Sequence, residues 1–126
     1  MENKKILVID DDATVLQMLQ RLLAKAHGYE VAVAQDGLSG YRLACQDKPD
    51  LILLDVMLPD KSGGCIARML SENSATQNIP IVFISVLLDA GGKKRIRINE
   101  QEYRAVSKPI YLPDLLSQIR KALNEV

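Results

Sequence analysis

Short runs of apolar residues alternate with longer amphipathic stretches along this chain of 126 residues. An apolar run of about four to eight residues is typical of a buried strand, whereas apolar residues three and four apart indicate a helix. Strands are predicted at residues 6–9, 29–34, 51–54, 79–85 and 105–106. Because helical patterns separate them, we expect an α/β fold in which helices cover both faces of a parallel sheet.

The predicted helices carry start and stop signals at their ends. Asp12 is suited to cap the first helix and Gly28 to end it, and Ser62 is suited to cap the third. The second helix is predicted at residues 38–46, and Pro113 fits the first turn of the last helix. These signals support the helix assignments independently of the apolar pattern.

One basic segment between the last two strands departs from the alternation. A helix is due there, yet Gly91 and Gly92 favour helix poorly and residues 93–98 alternate like a strand. We expect a short or frayed fourth helix over residues 94–102. Four cations precede or begin it: Lys93, Lys94, Arg95 and Arg97. They are interpreted as a solvated helix face, with a docking patch for an acidic partner or nucleic acid as the alternative.

The composition is that of an ordinary globular domain. Sixteen basic residues balance sixteen acidic ones, so nothing in the net charge suggests nucleic acid or a membrane as a partner. The length predicts a single domain over residues 1–126. Apolar runs too short for a signal peptide or a membrane span favour the cytoplasm. Cys45 and Cys65 lack metal-ligand spacing and are expected to be reduced, packed side chains.

Carboxylates collect where the predicted strands end. Asp10, Asp11 and Asp12 follow the first strand, and Asp55 follows the third apolar run. The carboxyl ends of parallel strands share one edge of the sheet, where ligand sites lie, so these side chains are expected to meet. Crowded carboxylates repel one another, which indicates a hard divalent metal or a proton-sharing site. Lys108 follows the last strand at the same edge, and acids, metal and lysine together suit a phosphoryl group.

Four motifs at successive strand ends resemble the receiver domain of two-component response regulators. They occupy residues 6–12, 51–63, 83–85 and 107–109, and their order and spacing agree across essentially the whole chain. The resemblance implies a flavodoxin-like, doubly wound parallel sheet of five strands in the order 2-1-3-4-5. It also implies five helices, the fourth of them short or irregular. The implied role is signalling, not enzymatic, beyond promotion of the domain's own phosphorylation and dephosphorylation.

The resemblance assigns a phosphoryl site. Asp55 would accept a phosphoryl group from a sensor histidine kinase or a histidine phosphotransfer protein and thereby switch the binding of a downstream partner. Lys108 would pair with one phosphoryl oxygen, and the hydroxyl of Ser85 would donate a hydrogen bond to another. The resemblance also favours a cis bond between Lys108 and Pro109 and is compatible with a homodimer.

The resemblance also implies a metal site. Asp11 and Asp55 would bind Mg²⁺ or Mn²⁺ directly, and Asp10 would act largely through water. The family pattern adds the backbone carbonyl of Met57 as a further ligand.

Some positions depart from the family pattern. An aromatic residue that reports switching is usual at the position of Ala105, and Tyr103 is expected to be half-exposed without replacing it. Val86 is larger than usual and would narrow access to the phosphoryl group. Met57 and Leu87 would flank the hydrolytic water without hydrogen-bonding it, which predicts a slowly hydrolysing phosphoryl form.

Two other interpretations remain at this stage. A phosphorylation-independent interaction module of the same fold is compatible with the altered switch position. An enzyme, such as a flavin carrier or a hydrolase, is disfavoured because three carboxylates stand where a flavin phosphate needs an anion cradle. Met57 also occupies the place of the second aspartate expected in a phosphatase with an aspartate nucleophile.

Overall fold

The computed structural model describes residues 3–86 and 95–124, with the side chain of Ala26 excepted. The strands are β1 (Lys5–Ile9), β2 (Glu30–Ala34), β3 (Leu51–Asp55), β4 (Ile81–Ser85), β5 (Arg95–Ile98) and β6 (Gln101–Ser107). The helices are α1 (Ala13–Arg21), which continues as a π-helix (Leu22–Ala26), α2 (Gly37–Asp47), α3 (Gly63–Glu72) and α4 (Leu112–Ala122).

The strands form one sheet in the order β2-β1-β3-β4-β6-β5. Five of them are parallel, and β5 runs antiparallel to β6 at the edge. The predicted order 2-1-3-4-5 therefore describes the parallel strands, with β6 in fifth place. The predicted counts of five strands and five helices are wrong, since the described part of the chain has six strands and four α-helices.

A β-hairpin replaces the fourth helix that was predicted over residues 94–102. Its turn consists of Asn99 and Glu100, whose φ angles are 54° and 64°. Two consecutive left-handed residues are typical of the type I′ turn that joins antiparallel strands. The physical reason is the period-two alternation of arginine and isoleucine in β5, which places both isoleucines on one face. Arg95 and Arg97 are thus exposed on a strand, not on a helix, whereas Lys93 and Lys94 lie outside the described residues.

The strand β6 changes partner along its length. Its residues from Arg104 onwards pair with β4, and its residues up to Arg104 pair with β5. Residues 95–104 therefore form a two-stranded ribbon, here called the hairpin arm. The arm packs Ile96 and Ile98 into the cluster that contains Phe83 of β4. At its tip, the Asn99 amide donates a hydrogen bond of 2.9 Å to the carbonyl of Gly64 in α3.

The core lies on both faces of the sheet. Alternate residues of the parallel strands pack against α1 and α4 on one face and against α2 and α3 on the other. The predicted caps are confirmed, since Asp12 accepts hydrogen bonds from the N–H groups of Thr14 and Val15, and Ser62 accepts one from Cys65. These caps start α1 and α3 immediately after the loops that carry the site.

Three smaller expectations have different outcomes. The Lys108–Pro109 bond is cis, as expected. Cys45 is partly buried but Cys65 is exposed, so packing was wrongly predicted for the second cysteine, which lies on the outer side of the first turn of α3. Within residues 3–86 and 95–124, every helix is too short or too polar to span a membrane.

Candidate functional site

Four neighbouring strands deliver the predicted side chains to one edge of the sheet. Asp10 follows β1, Asp55 ends β3, Ser85 ends β4 and Lys108 follows β6. The register pairs the ends of β1 and β3 residue by residue, so Asp10 and Asp55 emerge side by side. The same holds for the ends of β4 and β6. Parallel strand ends thus bring together residues that lie far apart in sequence.

Lys108 bridges two buried carboxylates. Its Nζ lies 2.8 Å from Oδ2 of Asp10 and 3.1 Å from Oδ2 of Asp55. Asp10 is fully buried, and Asp55 is only 6% exposed. Two carboxylates therefore share one ammonium group in a poorly hydrated site, which leaves an excess of negative charge.

The backbone fixes the other oxygen of each carboxylate. Oδ1 of Asp10 accepts a hydrogen bond of 2.9 Å from the N–H of Asp12. Oδ1 of Asp55 accepts one of 3.1 Å from the N–H of Met57. Both carboxylates are consequently oriented with their second oxygen towards Lys108.

The protonation of this site reflects burial and mutual charge. Burial raises the pKa of Asp55, and the hydrogen bonds from Met57 and Lys108 offset that effect only in part. Burial alone would lower the pKa of Lys108, but Asp10 and Asp55 together outweigh it and raise that pKa. The lysine is therefore held as a cation, while burial makes ionisation of Asp55 less favourable than that of an exposed aspartate.

The carboxylates fit a hard divalent cation. Asp11 is exposed beside the buried pair, and one oxygen from each of Asp10, Asp11 and Asp55 lies within 4.8 Å of the others. Oδ2 of Asp10 is buried, and its one partner among the described residues is the Lys108 ammonium, 2.8 Å away. Mg²⁺ prefers oxygen ligands and is usually held by one or two carboxylates together with waters, which this cluster can supply.

The remaining predicted residues border this cluster in different ways. Ser85 is buried, and its carbonyl accepts a hydrogen bond of 3.0 Å from the N–H of Lys108. Met57 and Val86 are each 61% exposed, so both side chains face solvent near the site. Leu87, the second predicted neighbour of a hydrolytic water, lies outside the described residues.

The position at which an aromatic switch residue would be usual holds a small, buried side chain. Ala105 is fully buried between its strand neighbours. Tyr103 is half-exposed, as expected, and its ring packs edge-on against Phe83 with centroids 5.0 Å apart. The tyrosine therefore belongs to the base of the hairpin arm.

Sequence reasoning missed Asp60. Its two carboxylate oxygens accept hydrogen bonds of 2.8 and 3.0 Å from the N–H groups of Gly37 and Leu38. These bonds lower the pKa of Asp60 and tie the loop after β3 to the start of α2. No local signal reveals the contact, because its partners lie on another element far back in the sequence.

Comparisons with known proteins identify the family. The sequence model of the response regulator receiver domain matches residues 6–120. The chain belongs to this family. The receiver domain is 30% identical to the polar-differentiation response regulator DivK of Brucella anthropi over 122 residues, which cover 97% of this chain and 98% of DivK. The resemblance predicted from the four motifs is thus confirmed.

Solved structures agree with this assignment. The chemotaxis protein CheY4 of Vibrio cholerae superposes with a TM-score of 0.83 at 26% identity, covering 97% of this chain and all of CheY4 (100%). The receiver domain of the sensor histidine kinase PA1611 from Pseudomonas aeruginosa has a TM-score of 0.79 at 21% identity, with coverages of 98% and 100%. That structure has a magnesium ion coordinated in its active-site cleft. The flavodoxin-like receiver fold is therefore established for this chain, which is a receiver domain of the two-component signalling type.

Proposed function

We propose that Asp55 of this receiver domain accepts a phosphoryl group from a sensor histidine kinase or a histidine phosphotransfer protein. The observation that supports this most directly is the ammonium of Lys108, which contacts both Asp10 and Asp55. An anionic nucleophile approaches an anionic phosphoryl group only where fixed positive charge offsets their repulsion. The lysine supplies part of that charge at the place where the new bond would form.

The transfer uses residues that are already positioned. A carboxylate oxygen of Asp55 forms a bond to phosphorus while the phosphorus–nitrogen bond to the donor histidine breaks. The bonding electrons stay on that nitrogen, and the imidazole, which already carries a proton on its other ring nitrogen, leaves as the neutral donor histidine. The Met57 N–H keeps the Asp55 carboxylate oriented during the approach. Lys108 then pairs with a phosphoryl oxygen, and the Ser85 hydroxyl donates to another.

Mg²⁺ or Mn²⁺ is the proposed cofactor. Asp11 and Asp55 would hold it directly, Asp10 largely through water, and the backbone carbonyl of Met57 would complete the protein ligands. The close spacing of carboxylate oxygens from Asp10, Asp11 and Asp55 supports this assignment, since one lysine leaves that cluster with excess negative charge. When bound, the ion would neutralise phosphoryl oxygens and the carboxylates around it. The magnesium ion in the PA1611 receiver domain lies in a site of the same fold.

The chain would act as one receiver unit over residues 1–126 in the cytoplasm, and phosphorylation would change its affinity for a downstream protein. A homodimer is compatible with this role. Neither a membrane nor nucleic acid is proposed as a direct partner, given the balanced charge of the chain.

Phosphorylation is tested by intact-mass spectrometry after incubation with acetyl phosphate and Mg²⁺. The wild-type protein should gain one phosphoryl group, and Asp55→Asn should gain none. Asp50→Asn is the matched control, because Asp50 receives a hydrogen bond from the Lys5 N–H at the other end of the sheet. Undiminished labelling of Asp55→Asn would overturn the assignment of the acceptor.

The metal is tested separately by thermal unfolding with and without Mg²⁺. Saturating Mg²⁺ should raise the melting temperature of the wild type by mass action, and Asp11→Asn should lose most of that gain. Asp12→Asn is the matched control, since Asp12 caps α1. A wild-type melting temperature that ignores Mg²⁺ would refute the metal site without touching the phosphorylation result.

Signal lifetime is a finer proposal. The exposed Met57 offers no hydrogen-bonding group to orient a water opposite Asp55, so hydrolysis of the acyl phosphate should be slow. Met57→Asn should speed phosphate release, and Val86→Ala should speed it if the larger side chain restricts access. Loss of the phosphoryl group from the wild type within seconds would contradict this proposal.

A phosphorylation-independent interaction module is the second candidate. Two observations favour it: Ala105 fills the usual switch position, and the hairpin arm takes the place of a helix. This candidate predicts no labelling by acetyl phosphate even with saturating Mg²⁺. The experiment on Asp55 therefore separates the two functions.

A further inference from the structure

A cleft separate from the acidic site lies where the hairpin arm leaves the sheet. Its walls are the second half of α3, residues 77–81 before and within β4, residues 101–104 of β6, and the end of α4. The cleft has a volume of about 520 Å³. It lies at the end of the sheet opposite the acidic site, so it is separate from the proposed phosphoryl chemistry.

The cleft is basic and polar. Three cations from three different elements line it, namely Arg95 of β5, Arg104 of β6 and Lys121 of α4. Glu102 is the one acidic residue among the described lining residues. Amide side chains supply further donors and acceptors: Gln77, Asn78, Gln101 and Asn124. A positively charged groove thus forms in a chain whose net charge is zero.

The positions of Arg95 and Arg104 are expected to destabilise the hairpin arm. Arg95 and Arg104 stand directly opposite each other in the antiparallel register, whereas Arg97 stands opposite Glu102. Like charges directly opposite on neighbouring strands are destabilising, and opposite charges are stabilising. Within residues 3–86 and 95–124, no carboxylate forms an ion pair with Arg95 or Arg104. An anion between these guanidinium groups would remove the cost.

The fold also holds one of these cations in place. Nη1 of Arg104 lies 3.3 Å from Oε1 of Gln118, and this glutamine is itself buried. The hydrogen bond orients the guanidinium group but supplies no negative charge. Arg104 is therefore a positioned, half-buried cation at the inner wall of the cleft.

Protection of a sheet edge explains only part of this pattern. Charged residues on an edge strand discourage pairing with other chains, which accounts for Arg95 and Arg97 on β5. It does not account for Arg104, because β6 lies between β4 and β5. Nor does it account for Lys121, which is on a helix.

We propose that this cleft docks an acidic, extended segment of a partner protein. Carboxylates of the segment would pair with Arg95, Arg104 and Lys121, and the lining amides would bind its backbone. A peptide fits better than a small anion, because Arg95, Gln77 and Asn78 are exposed and the open cleft would leave a small anion hydrated. The proposal is independent of phosphorylation at Asp55.

The docking test uses unphosphorylated protein and a fluorescent peptide of alternating glutamate and alanine. The wild type should bind it, and the double variant Arg95→Gln/Lys121→Gln should bind about tenfold more weakly. Arg104 is left in place because it contacts Gln118. The matched control removes the same charge from exposed helix positions, with Arg21→Gln/Arg42→Gln, and should bind as the wild type does. Added salt should weaken binding by the wild type.

Stability of the free protein gives a second readout. Arg95→Gln should raise the melting temperature, since it removes a like charge opposite Arg104. Arg97→Gln should lower it, since it removes an opposite charge across from Glu102. A fall in melting temperature with Arg95→Gln would show that a carboxylate already compensates this arginine, and it would overturn the proposal.

Other occupants are outcomes of the same binding assay. Equal binding of a lysine–alanine peptide, or equal loss in the Arg21/Arg42 control, would overturn a charge-selected site. Displacement by millimolar inorganic phosphate would assign the cleft to a small anion, and tighter binding of a mixed-sequence oligonucleotide would assign it to nucleic acid.

Discussion

The two ends of the sheet collect opposite charges and stabilise them differently. At the carboxyl end, Asp10 and Asp55 are buried, and each has one oxygen bound by the backbone and the other facing Lys108. In the cleft beside the hairpin arm, Arg95 is exposed and faces another arginine. Buried charge must be compensated inside the protein, whereas exposed charge is left to solvent or to a partner. The difference supports the phosphoryl chemistry proposed at one end and the docking proposed at the other.

Two adjacent glycines at the start of α3 give the largest expected contrast in stability, because one abuts the acidic strand end and the other abuts the hairpin arm. A Cβ at Gly63 would overlap the backbone carbonyl of Asp55, so Gly63→Ala should displace the strand end that carries the acceptor. The expected loss in free energy of unfolding is about 3 kcal/mol, measured by urea titration. A Cβ at Gly64 would meet side chains and no backbone, with Ile98 at 3.0 Å as its nearest neighbour, so Gly64→Ala should cost less than about 1 kcal/mol. Equal losses would show that the backbone at Asp55 is no more tightly packed than the contact between α3 and the hairpin arm.

A pH series on Asp55→Asn tests whether the carboxyl end lacks positive charge. Burial raises the pKa of Asp55, so the folded state favours its protonated form. The resulting penalty is absent below the ordinary aspartate pKa of about 3.9 and develops as the pH rises through the raised folded value. In EDTA, Asp55→Asn should therefore melt at a higher temperature than the wild type at pH 7, and the gain should vanish in acid. A variant that melts lower than the wild type at neutral pH would contradict this account.

Asp60 tests the link between the acidic site and the neighbouring helix. Its pKa is lowered by the N–H groups of Gly37 and Leu38, so its contribution to stability is present above the ordinary aspartate pKa. That contribution is lost as the pH falls through the lowered folded value. Asp60→Ala should lower the melting temperature at pH 7, and the difference should disappear in strong acid. Lys61→Ala is the exposed control. An equal fall in melting temperature in both variants would show that the hydrogen bonds of Asp60 do not stabilise the fold.

The turn of the hairpin arm gives the smallest expected effect. Glu100 has a φ of 64°, a value that glycine adopts without strain. Glu100→Gly should therefore raise the free energy of unfolding by about 0.5 kcal/mol in urea titration. Labelling of Asp55 by acetyl phosphate should be unchanged, because the substitution keeps the turn conformation and leaves the hydrogen bond from Asn99 to Gly64 in place. Impaired labelling would show that the two regions are coupled.

The sequence predicted the site better than the sheet edge for a physical reason. Asp10, Asp55 and Lys108 follow strands whose apolar runs are unambiguous, and parallel pairing then fixes where they meet. The hairpin arm had a visible period-two pattern at residues 95–98, but the alternation of strands and helices favoured a helix there. Asp60 could not be predicted, since its partners depend on how the loop after β3 lies over α2.

Because β6 changes partner along its length, the hairpin arm is expected to unfold independently of the parallel part of the sheet. The parallel strands pair across long sequence separations and stabilise one another as a unit, whereas β5 pairs with a strand that follows it directly. Local pairings form and open readily without global unfolding. Backbone amides of the arm should therefore exchange with solvent before those of β1 and β3. A segment docked there would be able to remodel the arm while the acidic site stays folded.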